Sequence, residues 1–245
     1  MKQVLLTVAE QRLVAADTYR LVLAGDVSAV TRPGQFVNLR LAGRFLRRPI
    51  SVSERTEDTI VLLYKLAGAG TRALAALSTG AALDTLTGLG NGFDTAPAGR
   101  TPLLFGGGIG SAPLVWLAKE LAAAGCRVTA ALGFNTAADI VAADRLGALG
   151  ARVLLATADG SRGTKGFVTD AAAGEDYSYF YACGPEAMLR AVFRATRGEG
   201  QLSFEERMGC GFGACMGCSC QTIAGPKRIC RDGPVLRKGE LLWTD

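Results

Sequence analysis

The chain has 245 residues, which at about 150 residues per domain predicts two compact units, or two with a small appendage. Hydrophobic residues at 49% against charged residues at 20% exclude a disordered chain, and the lack of any histidine excludes Ser-His and Cys-His nucleophilic sites and His-metal sites together. The net charge of +5 is carried mostly by the first hundred residues, where Arg40, Arg44, Arg47 and Arg48 form a cluster too small for a nucleic-acid footprint; it can meet a phosphate pair or simply solvate a strand end.

Short β-like runs at residues 3–9, 19–23, 36–41, 49–53, 59–65 and 82–87, punctuated by Asp, Gly and Pro, predict a small antiparallel β-barrel over residues 1–99. Its single helix is expected over 71–77, capped by Thr71 itself. After Arg100 strands and helices alternate: strands at 103–105, 127–132, 152–156 and 177–182, helices at 113–124, 138–149, 167–173 and 185–197. Such alternation predicts a doubly wound α/β parallel sheet over 100–200 with right-handed crossovers. From Gln201 to Asp245 the chain is rich in Gly and Cys with little periodicity. A third, small C-terminal unit is expected there, fixed by something other than an apolar core. The longest uncharged stretch, residues 101–118, carries four Gly and two Pro, which reads as strand, loop and helix rather than a membrane span. With no apolar leader before Glu10, a reducing, cytoplasmic setting is expected.

Five of the seven cysteines fall between Cys210 and Cys230. Cys210-x4-Cys215-x2-Cys218 with Cys230 beyond is the plant-type spacing for a [2Fe-2S] cluster. Soft thiolates suit iron and sulfide, and Gly209, Gly211, Gly213 and Gly217 let backbone N–H groups turn toward the sulfurs. Four thiolates also suit tetrahedral zinc, but zinc ribbons usually pair two tight knuckles and only Cys215 and Cys218 form one here. The expected metal ligands are Cys210, Cys215, Cys218 and Cys230. Cys220, able in principle to displace Cys218, is expected to be a buried thiol, and Cys126 ordinary core. Met208 and Phe212 flank Cys210 and are expected to fill the small unit's core, with an interface as the alternative.

Two features of the barrel are directed at anions. Arg47-Arg48-Pro49-Ile50-Ser51 offers an arginine fork before a fixed turn and a hydroxyl; its plain alternative is an edge strand with a surface arginine. Gly68-Ala69-Gly70-Thr71 opens the helix, where free N–H groups can meet a phosphate; a capped helix after a glycine turn is the alternative. Residues 106–110, Gly-Gly-Gly-Ile-Gly, lie between a strand and a helix, the right context for a nucleotide pyrophosphate although not the G-x-G-x-x-G fingerprint.

These motifs, with Tyr64-Lys65, the loop 159–166, Cys183-Gly184-Pro185 and the closing Cys230-Arg-Asp-Gly-Pro234, resemble the ferredoxin-NADP reductase superfamily. Their order along nearly the whole chain resembles the electron-transfer subunits of two-subunit, NAD-linked dihydroorotate dehydrogenases. The resemblance implies FAD held by Arg48, Pro49, Ile50, Ser51, Leu63, Tyr64, Lys65, Gly70 and Thr71. It implies NAD(H) met by Gly107, Gly108, Ile109 and Gly110 and by Cys183, Gly184 and Pro185. It further implies an FMN-containing dihydroorotate dehydrogenase catalytic subunit as partner, in a heterotetramer of two plus two serving pyrimidine biosynthesis, with no nucleic acid and no membrane. Hydride transfer needs proximity rather than a side-chain base, so no catalytic residue is expected in this oxidoreductase subunit. No Arg or Lys lies between Leu132 and Asp139, which favours NADH over NADPH, and Ala158 stands where family loops usually carry an acidic residue. An NAD(P)H-ferredoxin reductase or sulfide dehydrogenase small subunit with the same cofactors, and a zinc-stabilised nucleotide-binding regulator, are the competing readings.

Overall fold

Six strands close into an antiparallel barrel: β1 (Lys2–Ala15), β2 (Thr18–Ala24), β3 (Phe36–Leu39), β4 (Arg48–Arg55), β5 (Thr59–Lys65) and β6 (Ala82–Leu89), in the order β1-β2-β5-β4-β3-β6. The computed structural model describes residues 1–243, so the last two residues of the expected 201–245 unit lie outside the described residues. Alternation along β5 shows why the barrel closes: Ile60, Leu62 and Tyr64 enter a core with Leu6, Leu21 and Leu39, while Val61, Leu63 and Lys65 face the next layer. β1 runs to Ala15 instead of ending at residue 9, because its first half pairs with β6 and its second half with β2. The polar run Glu10-Gln11-Arg12 that reads as a strand end therefore lies within a strand. Gln11 turns inward and its amide donates to the carbonyls of Leu74 and Ala75 at the end of helix α1 (Ala69–Ala75) and of Leu77 just beyond it.

α1 begins two residues before the expected start, and Gly68 rather than Thr71 is its N-cap. Thr71 sits at the third helical position and reaches back, its hydroxyl accepting from the N–H of Ala67 at 2.9 Å and of Gly68 at 3.2 Å.

The second layer is a seven-stranded sheet in the order β10-β9-β8-β7-β11-β12-β15. Its parallel core is β7 (Leu103–Gly107), β8 (Thr129–Phe134), β9 (Arg152–Thr157), β10 (Thr164–Lys165), β11 (Phe180–Cys183) and β12 (Gly200–Ser203). Helices α2 (Ala112–Ala123) and α3 (Ala143–Ala148) cover one face; α4 (Val168–Ala171) and α5 (Glu186–Ala195) cover the other. α2 is apolar almost all round because it is wedged between sheet and barrel, with Trp116 reaching the barrel core. The expected helix 138–149 is broken. Ala142 takes φ +66, and Ile140 and Val141 leave the helical path to pack against Val14, Leu63 and Val115 between the two layers. The strands expected from 127 and 177 begin at Thr129 and Phe180.

The C-terminal segment has a core after all, shared with the sheet. Leu202, Phe204, Cys218, Ile229, Cys230, Leu236 and Leu241 pack with Phe36, Phe105 and Phe180. A hairpin of β13 (Ser219–Thr222) and β14 (Gly225–Arg228) follows the cysteine loop, and β15 (Val235–Arg237) then returns antiparallel beside β12. Among the described residues no helix is long and apolar enough to cross a membrane.

Candidate functional site: a flavin cavity and a cysteine loop

A cavity of about 310 Å³ lies where barrel, sheet edge and C-terminal segment meet. It gathers Pro49, Ile50 and Ser51 of β4, Leu63, Tyr64 and Lys65 of β5, Thr71 of α1, Ile109 of the glycine turn and Cys183 at the end of β11. Arg48 and Gly70 meet just beside it: the guanidinium lies so close over Gly70 that a Cβ there would overlap it, so the two anion-directed features of the barrel form one cradle. A basic, hydrogen-bonding rim beside an apolar slot fits a flavin dinucleotide, whose pyrophosphate is anionic and whose ring is flat, with broad faces and a dimethylbenzene end that suit apolar walls.

Individual side chains depart from their expected parts. The Tyr64 ring turns away from the cavity into the barrel, stacked on Tyr19 at 5.7 Å with its hydroxyl donating to Gln11, so Tyr64 offers the cavity only main chain. The Lys65 ammonium bridges Asp17 at 3.3 Å and Asp139 at 3.5 Å, tying barrel to sheet. Burial opposes its charge, but the two carboxylates prevail and hold it above the ordinary lysine value. Burial drives the Cys183 thiol strongly upward, keeping it neutral.

Gly107, Gly108, Gly110, Gly184 and Pro185 lie along the carboxyl edge of the sheet, where ligands of such sheets collect. Gly110 and Gly184 are glycines for packing: a Cβ on Gly110 would stand 2.6 Å from the Gly184 Cα, and one on Gly184 would stand 3.1 Å from the Gly107 nitrogen. The neighbouring loops are stitched together by the N–H of Ala137 donating to the Ser161 hydroxyl at 2.8 Å, while the Asp159 carboxylate accepts from both the N–H and the hydroxyl of Ser161.

Phe36, Ser203, Phe204, Glu205, Met208 and Pro234 also line the cavity and were not foreseen. All but Phe36 belong to the C-terminal segment, whose sequence carries a cysteine signal and nothing that points at a flavin.

Met208 is two residues from Cys210, so the cysteine loop starts at the cavity wall. The N–H groups of Phe212, Ala214 and Cys215 converge on Cys210 Sγ at 3.5, 3.2 and 3.5 Å. Burial opposes ionisation of Cys210, yet these amides outweigh it and bring the thiol down to about 6. Cys230 pairs with Cys218, to whose sulfur its N–H donates at 3.4 Å; burial first, and then that neighbour, push its thiol up to about 12. Cys215 thus lies against Cys210, and Cys230 against Cys218. Two thiolate pairs are what a two-iron cluster requires, one pair for each iron, whereas zinc takes all four at a single centre. Cys220 is half-exposed rather than buried, beside Phe204 and Trp243, and Cys126 is half-buried with its thiol on the Gly99 carbonyl. Met208 packs inward, whereas Phe212 is 44% exposed.

Barrel, parallel sheet and interlayer cavity define a flavin reductase of the ferredoxin-NADP reductase type, here with an iron-sulfur unit at its carboxyl end. Residues 205–242 match the iron-sulfur cluster binding domain of dihydroorotate dehydrogenase B. The dihydroorotate dehydrogenase B (NAD(+)) electron transfer subunit of Bacillus caldolyticus is 43% identical over 251 residues, covering 97% of each chain, and that of Shouchella clausii is 42% identical over 256 residues, covering 98% of each. Among solved structures, an NADH-dependent reduced ferredoxin-NADP oxidoreductase superposes with a TM-score of 0.87 at 29% identity, covering 99% of this chain and 91% of the other. The chain belongs to the family of dihydroorotate dehydrogenase B electron transfer subunits.

Proposed function

We propose that this chain carries electrons between NAD(H) and the catalytic subunit of a dihydroorotate dehydrogenase, using FAD in the interlayer cavity and a [2Fe-2S] cluster on the cysteine loop. The observation that carries the proposal is the shared wall: the segment from Ser203 to Met208 lines the cavity and runs directly into Cys210. A flavin exchanges two electrons with nicotinamide and single electrons with an iron-sulfur centre, which is why both groups occur in one chain. Arg48 and the N-terminus of α1 hold the pyrophosphate; Pro49, Ile50, Ser51 and Leu63 position the ring, and Lys65 holds the two layers in register around it. Gly107 to Gly110 receive the dinucleotide phosphates, and the close packing of Gly110 on Gly184 lets the Cys183-Gly184-Pro185 turn approach the cavity. Cys210, Cys215, Cys218 and Cys230 supply the thiolates, with the amides of residues 212, 214 and 215 compensating the charge of Cys210.

The units 1–99, 100–200 and 201–245 serve FAD, NAD and cluster respectively, with β12 and β15 carrying the third unit into the sheet of the second. The partner carries FMN, and two copies of each chain form the complex in a reducing cytoplasm. The similarity to the ferredoxin-NADP oxidoreductase supports a second reading, in which ferredoxin replaces the catalytic subunit. Co-expression with a dihydroorotate-oxidising chain tests the choice: NAD+ reduction by dihydroorotate should require this chain, and a rate unaffected by it, beside rapid ferredoxin reduction, would favour the second reading.

A further inference from the structure

Asn38 lies in β3, 1% exposed. The same face of the strand carries Phe36, which lines the cavity, and across the ladder Asn38 pairs with Pro49 of the flavin cradle. Its side chain makes one bond: Nδ2 donates to the carbonyl of Cys210 at 3.1 Å, across 172 residues of sequence. Among the described residues its Oδ1 is buried without a partner. An unpaired buried oxygen costs free energy that an apolar side chain of the same size would not. The strand therefore holds an unfavourable side chain whose one hydrogen bond goes to the first cysteine of the loop.

That bond fixes the peptide that follows Cys210. Gly211, at φ +79, packs so tightly on the Asn38 amide that a Cβ would overlap it. From Gly211 the chain turns back, and the amides of residues 212, 214 and 215 fall on Cys210 Sγ. The other side of Asn38 is equally fixed: Arg47 Nη1 donates to its carbonyl at 3.3 Å, and Arg47 is gripped by both carboxylate oxygens of Asp84 at 2.9 Å. Donors aimed at a ligating sulfur favour the more negative, reduced form of a cluster and raise its potential.

We propose that Asn38 is a positioning residue for electron transfer, fastening the Cys210 peptide to the flavin-bearing barrel and so holding both the N–H···S fan that tunes the cluster and its separation from the cavity. The inference rests on Cys210 being a cluster ligand, as proposed above.

The test uses the complete chain purified without oxygen, as wild type, Asn38→Leu and Gly211→Ala. Leucine keeps the branching and the number of heavy atoms and removes both the donor and the unpaired oxygen; alanine at 211 forces the amide away. An EPR-monitored redox titration should show the cluster midpoint lowered in both variants, moving the flavin–cluster electron equilibrium about tenfold, roughly 59 mV for one electron, with the flavin midpoint unmoved. In iron-free protein, the amides of residues 212, 214 and 215 should exchange hydrogen faster in both variants. An unchanged cluster midpoint with unchanged exchange overturns the proposal. Should neither variant retain a cluster, the iron-free exchange decides alone, and wild-type protection at those three amides refutes it. Wild-type protein free of iron and sulfide overturns the cluster reading itself, a separate result from a loaded wild type with an indifferent Asn38.

Discussion

Replacing Gly110 by alanine probes why the turn after β7 is glycine. The added Cβ would stand 2.5 Å from the Cys183 carbonyl oxygen, 2.6 Å from the Gly184 Cα and 2.7 Å from the Cys183 carbonyl carbon, all backbone atoms with no flexible end to yield. Carbon atoms rest about 3.5–4.0 Å apart, so the 183–184 backbone must retreat by roughly 1 Å. Overpacking of this kind costs about 1–3 kcal/mol, and at about 2–4 °C per kcal/mol the melting temperature should fall by roughly 2–12 °C. Because Cys183 lines the cavity, the same retreat moves the turn that faces the flavin, and a misplacement of about 1 Å can cost up to about 10²-fold in rate. Stopped-flow reduction of the bound flavin by NADH should slow at least tenfold, while flavin content stays as in wild type because the Arg48 cradle is untouched. Gly108, which stands among the residues proposed to receive the dinucleotide phosphates, is the control for melting alone: it has φ +53 but open space around it, so its alanine variant should lose about 1–2 kcal/mol to backbone strain without displacing the 183–184 turn. A Gly110→Ala protein with wild-type melting and wild-type flavin reduction would refute the packing argument.

Arg48→Ala should weaken FAD retention by about tenfold to a hundredfold, the loss of one charge-assisted hydrogen bond of about 1.5–3 kcal/mol, measured by flavin fluorescence on dilution. Cys218→Ser and Cys230→Ser should each abolish iron and sulfide content while FAD remains, whereas Cys220→Ser should keep both; metal analysis against the flavin absorbance distinguishes them. In iron-free protein the thiolate is the species that reacts with iodoacetamide, so the Cys210 rate should climb with pH and reach half its plateau at about 6. Cys230, pushed up to about 12, should stay inert at pH 8 in the same peptide-mapping experiment.

The features legible in the sequence are those decided locally. The strand, glycine turn and helix from Leu103 to Ala123 follow from an apolar run, Gly and an early Pro, and the cysteine spacing follows from the stereochemistry of the cluster it holds. Features settled by distant contacts were not legible. The helix expected over 138–149 has a fair helical composition, and it breaks because Ile140 and Val141 are worth more between the layers, against Val14 and Leu63, than on a helix face. Glu10 and Arg12 resemble a loop until β2 and β6 are both seen to pair with β1. Phe204 and Glu205 belong to the flavin cavity only because β12 carries them to the sheet edge. Nothing in the period of β3 announces that Asn38 meets Cys210.

The segment from Phe204 to Pro234 leaves the sheet after β12 and rejoins it at β15, and Asn91 grips its return by bonding both the N–H and the carbonyl of Val235 at 3.1 and 2.7 Å. Sutured at both ends and at Asn38, the cysteine loop is a fixed terminal rather than a tethered shuttle. Charge leaving the flavin has no domain swing to wait for, so its passage to the loop should be indifferent to solvent viscosity, and any slow, viscosity-dependent step belongs to the docking of another molecule.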